Sequence, residues 1–379
     1  MSVEVNIVIP VYNRLRSVTR LVDSLLSAKL SENVNLYISC EGNVSLDVLS
    51  FVKNIQWPFG GFTVIEQSEQ LGVDKHNLVC MRMAEQLGNV LVLEDDMVVS
   101  PFFQAYLNKS TVNVSADVSG IALYRYSIVE QNHFPFYLIP NDEFVYYQQR
   151  ACSNGTFYTW EMLKPYFEFL DSFAHNYSDY HLPENVRKWG DEVWEKSFYC
   201  YLIKNKKYLA FPRFSLSTDF ADYGVHMKKQ TLKYVHQTKL YLGSTFGKIS
   251  RLEDTHNVFD SFYELSPKTI KRFNKELSDY DFESDVYGFK DLQYVKTPYL
   301  LSSKNTLNAK CGWERRLKPE INNVLLNQIG DFYSLGKTGG FIQKNHIKSL
   351  KEDFLYYYPD TKLTDLVRMK ITEVFSRLF

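Results

Sequence analysis

Strand-like and helix-like patterns alternate through residues 1–110 of this 379-residue chain. That alternation predicts an α/β fold with a mostly parallel sheet flanked by helices. Three observations carry it. Short apolar runs recur at Val5–Pro10, Val34–Ile38, Phe62–Glu66 and Val90–Leu93. Stretches with apolar residues at three- and four-residue steps separate them. Hydrophobic residues make up 45% of the chain, enough for a sizeable core.

The elements follow in order. Val5-Asn6-Ile7-Val8-Ile9-Pro10 reads as a buried strand ending at proline. The turn Val11-Tyr12-Asn13-Arg14 leads into a helix with Leu15, Val18, Val22, Leu25 and Leu26 on one face and Asn13 as its N-cap. Val34, Leu36 and Ile38 alternate in a second strand, which ends at Ser39-Cys40-Glu41-Gly42-Asn43. Phe62–Glu66 is a third. Residues 73–87 form a helix with Val79, Met83 and Leu87 stacked on one side. The fourth strand, Val90–Leu93, runs straight into Glu94-Asp95-Asp96, and Ser100-Pro101 opens the next helix. Further strands are expected at Ser119–Tyr126, Glu143–Ala151 and Tyr208–Pro212, and a helix at Trp194 with Phe198, Tyr201 and Leu202 on one face. Residues 218–226 read as a loop. From about residue 246 the extension is expected to be largely helical, over Ser261–Leu277 and Pro319–Leu326. Asp331–Gly340 reads as a turn, because its glycines lack the spacing of a phosphate-binding loop.

Charge and composition exclude some classes. Lys+Arg 43 against Asp+Glu 44 leaves no pull toward nucleic acid. The five cysteines are scattered, with no zinc spacing, and suit free thiols in a reducing compartment. No signal peptide or membrane-spanning apolar run is evident, so a cytoplasmic location is expected.

The chemistry concentrates at Glu94-Asp95-Asp96. These acids sit where a buried strand leaves the sheet, the rim where ligands bind in open α/β sheets. Three adjacent carboxylates repel one another unless a cation relieves them. Hard oxygen ligands suit Mg²⁺ or Mn²⁺, which bind through one or two carboxylates plus substrate phosphates. The plain alternative is an acidic corner with no ligand. A second acidic pair, Asp191 and Glu192, lies at the start of the Trp194 helix, where the helix dipole favours an ionised carboxylate.

Val8-Ile9-Pro10-Val11-Tyr12-Asn13-Arg14 resembles the first strand and turn of GT-A-type (Rossmann-like) nucleotide-sugar glycosyltransferases. Glu94-Asp95-Asp96, followed by Met97-Val98-Val99-Ser100-Pro101-Phe102-Phe103, is similar to the acidic motif of the N-acetylglucosaminyltransferase I family. The likeness covers roughly residues 3–230. It implies a nucleotide-sugar-binding half over 1–110 and an acceptor-binding and catalytic half over 111–245; residues 246–379, which the likeness does not reach, are expected to be an accessory region. It implies Asp96 as the metal ligand, with Mn²⁺ or Mg²⁺ as cofactor, and His226 in a closing loop as a second contact to metal or diphosphate. Pro10, Tyr12, Arg14, Glu41, His76, Glu94 and Asp95 are expected around the donor. The tryptophan-flanked pair implies Asp191 as the base, with Glu192 as fallback. The expected reaction is inverting, metal-dependent transfer of a hexose or N-acetylhexosamine from a UDP-sugar to a glycan or lipid-linked saccharide, as in surface polysaccharide synthesis. Two rivals stay open: a sugar-phosphate nucleotidyltransferase, and a catalytically silent nucleotide-sugar-binding scaffold. Thr361–Phe379 is amphipathic and basic, with Leu363, Leu366, Val367, Ile371 and Val374 on one face. It suits either packing on the domain or on a second subunit of a homodimer, or peripheral contact with the cytoplasmic face of an anionic membrane.

Overall fold

A computed structural model describes residues 3–112, 114–224, 237–342, 356–357 and 364. The chain opens with β1 (Val5–Val11), α1 (Leu15–Leu26), β2 (Val34–Cys40), α2 (Leu46–Lys53), β3 (Phe62–Glu66), α3 (Val73–Arg82), the single turn α4 (Ala84–Leu87) and β4 (Asn89–Val92). It continues through β5 (Met97–Val99), α5 (Phe103–Ser110), β6 (Val118–Ala122), β7 (Val145–Gln148), β8 (Thr156–Thr159), α6 (Trp160–Ser172), α7 (Glu184–Arg187), α8 (Trp194–Lys204), β9 (Tyr208–Pro212) and β10 (Ser217–Asp219). The last part holds β11 (Val258–Phe259), α9 (Pro267–Phe273), β12 (Phe282–Asp285), β13 (Tyr299–Ser302), β14 (Ala309–Trp313), α10 (Asn322–Leu325) and β15 (Tyr333–Lys337).

Nine strands form one sheet in the order β11-β7-β9-β6-β8-β4-β1-β2-β3. β1, β2, β3 and β4 run parallel, β6 and β9 share their direction, and β8, β7 and β11 oppose them. The sheet is buried on both faces. Along β1 the side chains alternate: Ile7 and Ile9 pack with Val18, Leu21 and Leu25 of α1, while Val8 packs with Cys80, Met81 and Phe198 on the opposite face. That double burial explains the unbroken apolar runs in the sequence. The chain passes from β1 to β2 on one side, and β4 lies on the other. The carboxyl ends of β1 and β4 therefore flank the point where strand order reverses, the usual ligand crevice of open α/β sheets.

Several boundaries differ from the sequence reading. Arg14, not Asn13, is the residue before α1, and no side chain caps that helix. The helix over 73–87 is broken at Met83 into α3 and α4. The helix expected at Ser100-Pro101 begins at Phe103, and the Ser100 hydroxyl accepts from Phe102 N at 3.2 Å. Part of the expected 218–226 loop is strand: β10 pairs antiparallel with β5. The largest correction concerns the extension. Among the described residues it is built on a four-stranded sheet, β12-β13-β15-β14, with only the short helices α9 and α10. The segment read as a turn at 331–340 supplies β15, whose Leu335 is fully buried. Its four- and five-residue strands are too short to leave a clear period of two. His226 and, apart from Thr364, the stretch 361–379 lie outside the described residues. No helix among the described residues is long and apolar enough to cross a membrane.

Candidate active site

The acidic rim is built by β4 ending at Val92 and the chain turning at Glu94-Asp95-Asp96 into β5. Asp95 and Asp96 are 4% and 7% exposed, so both carboxylates have lost most of their water. Their counter-charge comes from the neighbouring strand end. Arg14, just past β1, donates from Nη1 to Asp96 Oδ2 at 2.8 Å and from Nε to Asp95 Oδ2 at 3.2 Å, while its Nη2 donates to Asp95 Oδ1. This fork across two carboxylates is the geometry that arginine, and not lysine, provides. Burial works against the Arg14 charge, but Asp95 and Asp96 more than offset it and hold the guanidinium protonated.

One guanidinium does not neutralise the whole cluster. Burial pushes Asp96 up to about 6, helped by Asp219, Asp95 and Asp222 and opposed by Arg14. Glu94 is raised well above the usual carboxylate range by burial, then by Asp96, Glu195 and Asp219. Asp219 ends β10, and the next residue, Phe220, donates its N–H to the Asp96 carbonyl at 3.0 Å. Asp222 is clamped to α1, accepting from Ser17 Oγ at 2.7 Å and from Arg20, whose guanidinium lies 3.8 Å above the Phe220 ring. The chain then returns to Gly224, where a side chain would meet Arg14 Nη1 at 3.2 Å.

Tyr12 and Pro10 are half-buried at the end of β1. Glu41 and His76 are brought together just below this rim, and both are buried. The Glu41 carboxylate accepts from Leu71 N at 2.6 Å and Gly72 N at 3.0 Å, and lies 3.6 Å from His76 Nδ1. His76 Nε2 is 2.7 Å from Ser39 Oγ, which also accepts from Gln67 at 2.9 Å. Burial lowers the His76 pKa, so the ring is a neutral hydrogen-bonding link. This chain fixes the loop leading into α3. Gly42 is required for it, since a Cβ there would sit 2.3 Å from the Glu69 carbonyl carbon. Glu41 and His76 thus occupy the framework under the expected donor pocket.

The structure does not gather Asp191 and Glu192 into the acidic cluster. Both are exposed in the turn before α8; the Asp191 side chain is 71% exposed and pairs with Lys196 Nζ at 2.7 Å. A residue the sequence reading passed over, Glu195 in the first turn of α8, is half-buried where Asp191 and Glu192 are exposed. Burial pushes it up to about 7, with Asp74 adding to the rise and the Ser153 hydroxyl opposing it. Its charge is felt by Glu94, which ties it to the rim. The α8 start is fixed by Asp74 of α3, which accepts from Trp194 N at 3.1 Å. A small cavity lined by Asn77, Val92, Cys152, Ser153, Thr156 and Trp194 adjoins this corner. Gly155, at φ +91°, lets the preceding turn pass close to Leu93. The available signal for Glu195 was a third acid following Asp191 and Glu192; only the observed helix start shows which of the three is half-buried.

Among the described residues no three His, Cys, Asp or Glu side chains form a ready-made metal cage. Asp96, with Glu94 and Asp219 close by, does match a hard divalent cation that takes one or two carboxylates and fills its other positions with phosphate oxygens and water.

Fold and rim together define an α/β protein with a buried acidic rim at its strand-order reversal. No protein-family model matches the chain, and no curated protein matches it. Among solved structures, the chain is similar to a mannosyltransferase, PcManGT from Pyrobaculum calidifontis in complex with GDP-Man and Mn²⁺, at 12% identity, covering 42% of this chain and 46% of that one with a TM-score of 0.32. It is also similar to S. aureus TarS 1–349 in complex with UDP-GlcNAc, at 12% identity, covering 61% and 62% with a TM-score of 0.38. The chain spans less than two thirds of each of these proteins.

Proposed function

We propose that the protein is a GT-A-type glycosyltransferase that moves a hexose or N-acetylhexosamine from a UDP-sugar to a hydroxyl of a glycan or lipid-linked saccharide, with inversion. The observation that carries this reading is the buried Asp95-Asp96 pair, with half-buried Glu94 before it and Arg14 beside it, at the crevice between β1 and β4. A silent acidic corner does not account for carboxylates kept so far from water with incomplete neutralisation.

Asp96 would hold Mn²⁺ or Mg²⁺, which when bound neutralises charge on the departing diphosphate. Arg14 orients Asp95 and Asp96 and holds their negative charge in the free protein. The Glu41–His76–Ser39 chain keeps the base-side wall of the donor pocket rigid. Glu195 takes the acceptor hydroxyl proton as the acceptor oxygen bonds the anomeric carbon and the diphosphate leaves. Its raised pKa suits that role better than the exposed Asp191 and Glu192. A base on a separate element from the cation site suits in-line attack, hence inversion.

Titration with UDP in the presence of Mn²⁺, followed by a donor-hydrolysis assay, tests the reading. Wild type is expected to bind UDP only with the divalent ion, and Asp96→Ala to lose both binding and hydrolysis while keeping its fold. Full UDP binding in EDTA, or by the variant, overturns the assignment. Turnover of a nucleoside triphosphate with a sugar phosphate, and no donor hydrolysis, favours the nucleotidyltransferase.

A further inference from the structure

The carboxyl rim continues past the acidic cluster, because β6 and β9 run in the same direction as β4. Arg125 lies three residues beyond β6 and Arg213 directly follows β9. Both side chains are half-buried and reach the same strap, residues 126–143. Arg125 Nη2 donates to Phe136 O at 3.2 Å. Arg213 donates from Nη2 to Ile139 O at 3.2 Å and to Asn141 Oδ1 at 2.6 Å, and from Nε to Glu143 O at 2.5 Å.

Among the described residues neither guanidinium has a carboxylate in ion-pair contact. The nearby Glu143 carboxylate is taken by Asn141, Thr255 and Asn257. Arg125 Nε is buried with no hydrogen-bond partner. Burial and then Arg125 depress the Arg213 pKa, opposed by Glu143 and Asp142 nearby. Two like charges whose direct hydrogen-bond partners are neutral oxygens, with only Glu143 and Asp142 near Arg213 to offset them, form an arrangement that an anion relieves.

The flanking surface is apolar and flat. Phe214 is 49% exposed and its ring stacks on Tyr241 at 5.6 Å and 15°. From Arg213 the chain runs through Ser215 and Ser217 into β10 and Asp219, beside Asp96. That stretch is buried at Ser215, Leu216 and Ser217, so one fixed length of backbone joins the arginine pair to the acidic cluster.

We infer that Arg125 and Arg213, with Phe214, form an acceptor subsite for a saccharide bearing a phosphate. The arginine forks take the anion and the ring takes a sugar face. This rests on the glycosyltransferase reading for its place in the reaction, but the binding preference is measurable independently of it.

The test is calorimetric titration of the full-length protein with glucose 6-phosphate, glucose and inorganic phosphate, each with and without UDP and Mn²⁺. Glucose 6-phosphate is expected to bind at least tenfold more tightly than glucose. Arg125→Gln and Arg213→Lys are each expected to erase about tenfold of that preference without changing UDP affinity. Phe214→Ala is expected to weaken both sugars and spare inorganic phosphate. Equal binding of the two sugars, or an undiminished preference in a folded Arg125→Gln protein, overturns the subsite. If Arg213→Lys unfolds, Arg125→Gln, which gives up one strap contact against three, decides alone. Loss of UDP binding with an intact phosphate preference sinks the proposed donor chemistry and leaves the anion site standing.

Discussion

Glu195→Gln is the substitution that best separates the half-buried acid from its exposed neighbours. It keeps side-chain size and removes only the ability to accept a proton. General-base catalysis contributes about 10²–10⁴-fold, so turnover is expected to fall by that factor while UDP affinity stays near wild type. The pH dependence follows from the raised pKa of about 7. The base works only when ionised, so kcat/KM rises with pH and levels off above that value. At pH 6 the active fraction is about a tenth, giving a rate roughly tenfold below the plateau. The Gln variant is expected to lose this slope. Asp191→Asn and Glu192→Gln, which act on exposed carboxylates, are expected to keep both rate and slope. Initial rates across pH 5.5–8.5 with one donor and one acceptor are the assay. A near-normal Glu195→Gln together with a dead Asp191→Asn refutes the assignment and returns the base to the turn before α8.

Two further predictions concern buried ion pairs. Arg14→Met leaves Asp95 and Asp96 without their counter-charge, a loss of about 3–5 kcal/mol. At about 2 °C per kcal/mol for a large domain, the melting midpoint at pH 7 is expected to drop by roughly 6–10 °C; an unchanged midpoint means the carboxylates are neutral or solvated. Lys304, fully buried against Asp285 at 2.5 Å, is expected to cost a similar amount as Lys304→Met, about 3–5 kcal/mol by denaturant unfolding. Adding Asp285→Asn in the same chain is expected to recover most of the loss, and a double variant no better than the single one shows that the charge pair is not the cause.

The parts of the fold legible in the sequence were those set by local pattern. Ile7, Val8 and Ile9 announce a strand buried on both faces, and Val18, Val22 and Leu25 announce the helix that covers one of them, although Leu26, read on the same face, is exposed and Leu21 is buried instead. The acidic triplet was legible because an apolar strand ends in it. Long-range contacts were not. Nothing local says that Arg14 reaches across 82 positions to Asp96, or that Asp222 returns to Arg20. The α8 start decides which acid is half-buried, and a shift of one residue there rotates a side chain by about 100°. The second sheet was hidden because its strands and the turn after β13 carry polar residues that are satisfied inside: Ser284, Asp285, Ser302 and Lys304 are all buried. Sequence polarity there suggests exposure, and tertiary hydrogen bonding reverses it.

The Asp285–Lys304 pair has a consequence for how that second sheet assembles. β12 and β13 pair in parallel with Asp285 opposite Ser302, whose hydroxyl donates to Asp285 Oδ2 at 2.8 Å, and the Lys304 ammonium reaches the same oxygen. Sliding β13 by two residues preserves which side chains face inward, so apolar patterning alone does not forbid it. The slide does carry the ammonium about 7 Å along the strand direction, away from the Asp285 carboxylate, its one carboxylate contact among the described residues. An isolated charge in that interior costs several kcal/mol. The pair therefore works as a key for strand alignment: strands of only four residues offer few contacts to fix their pairing, and the observed alignment is the one that matches both charges.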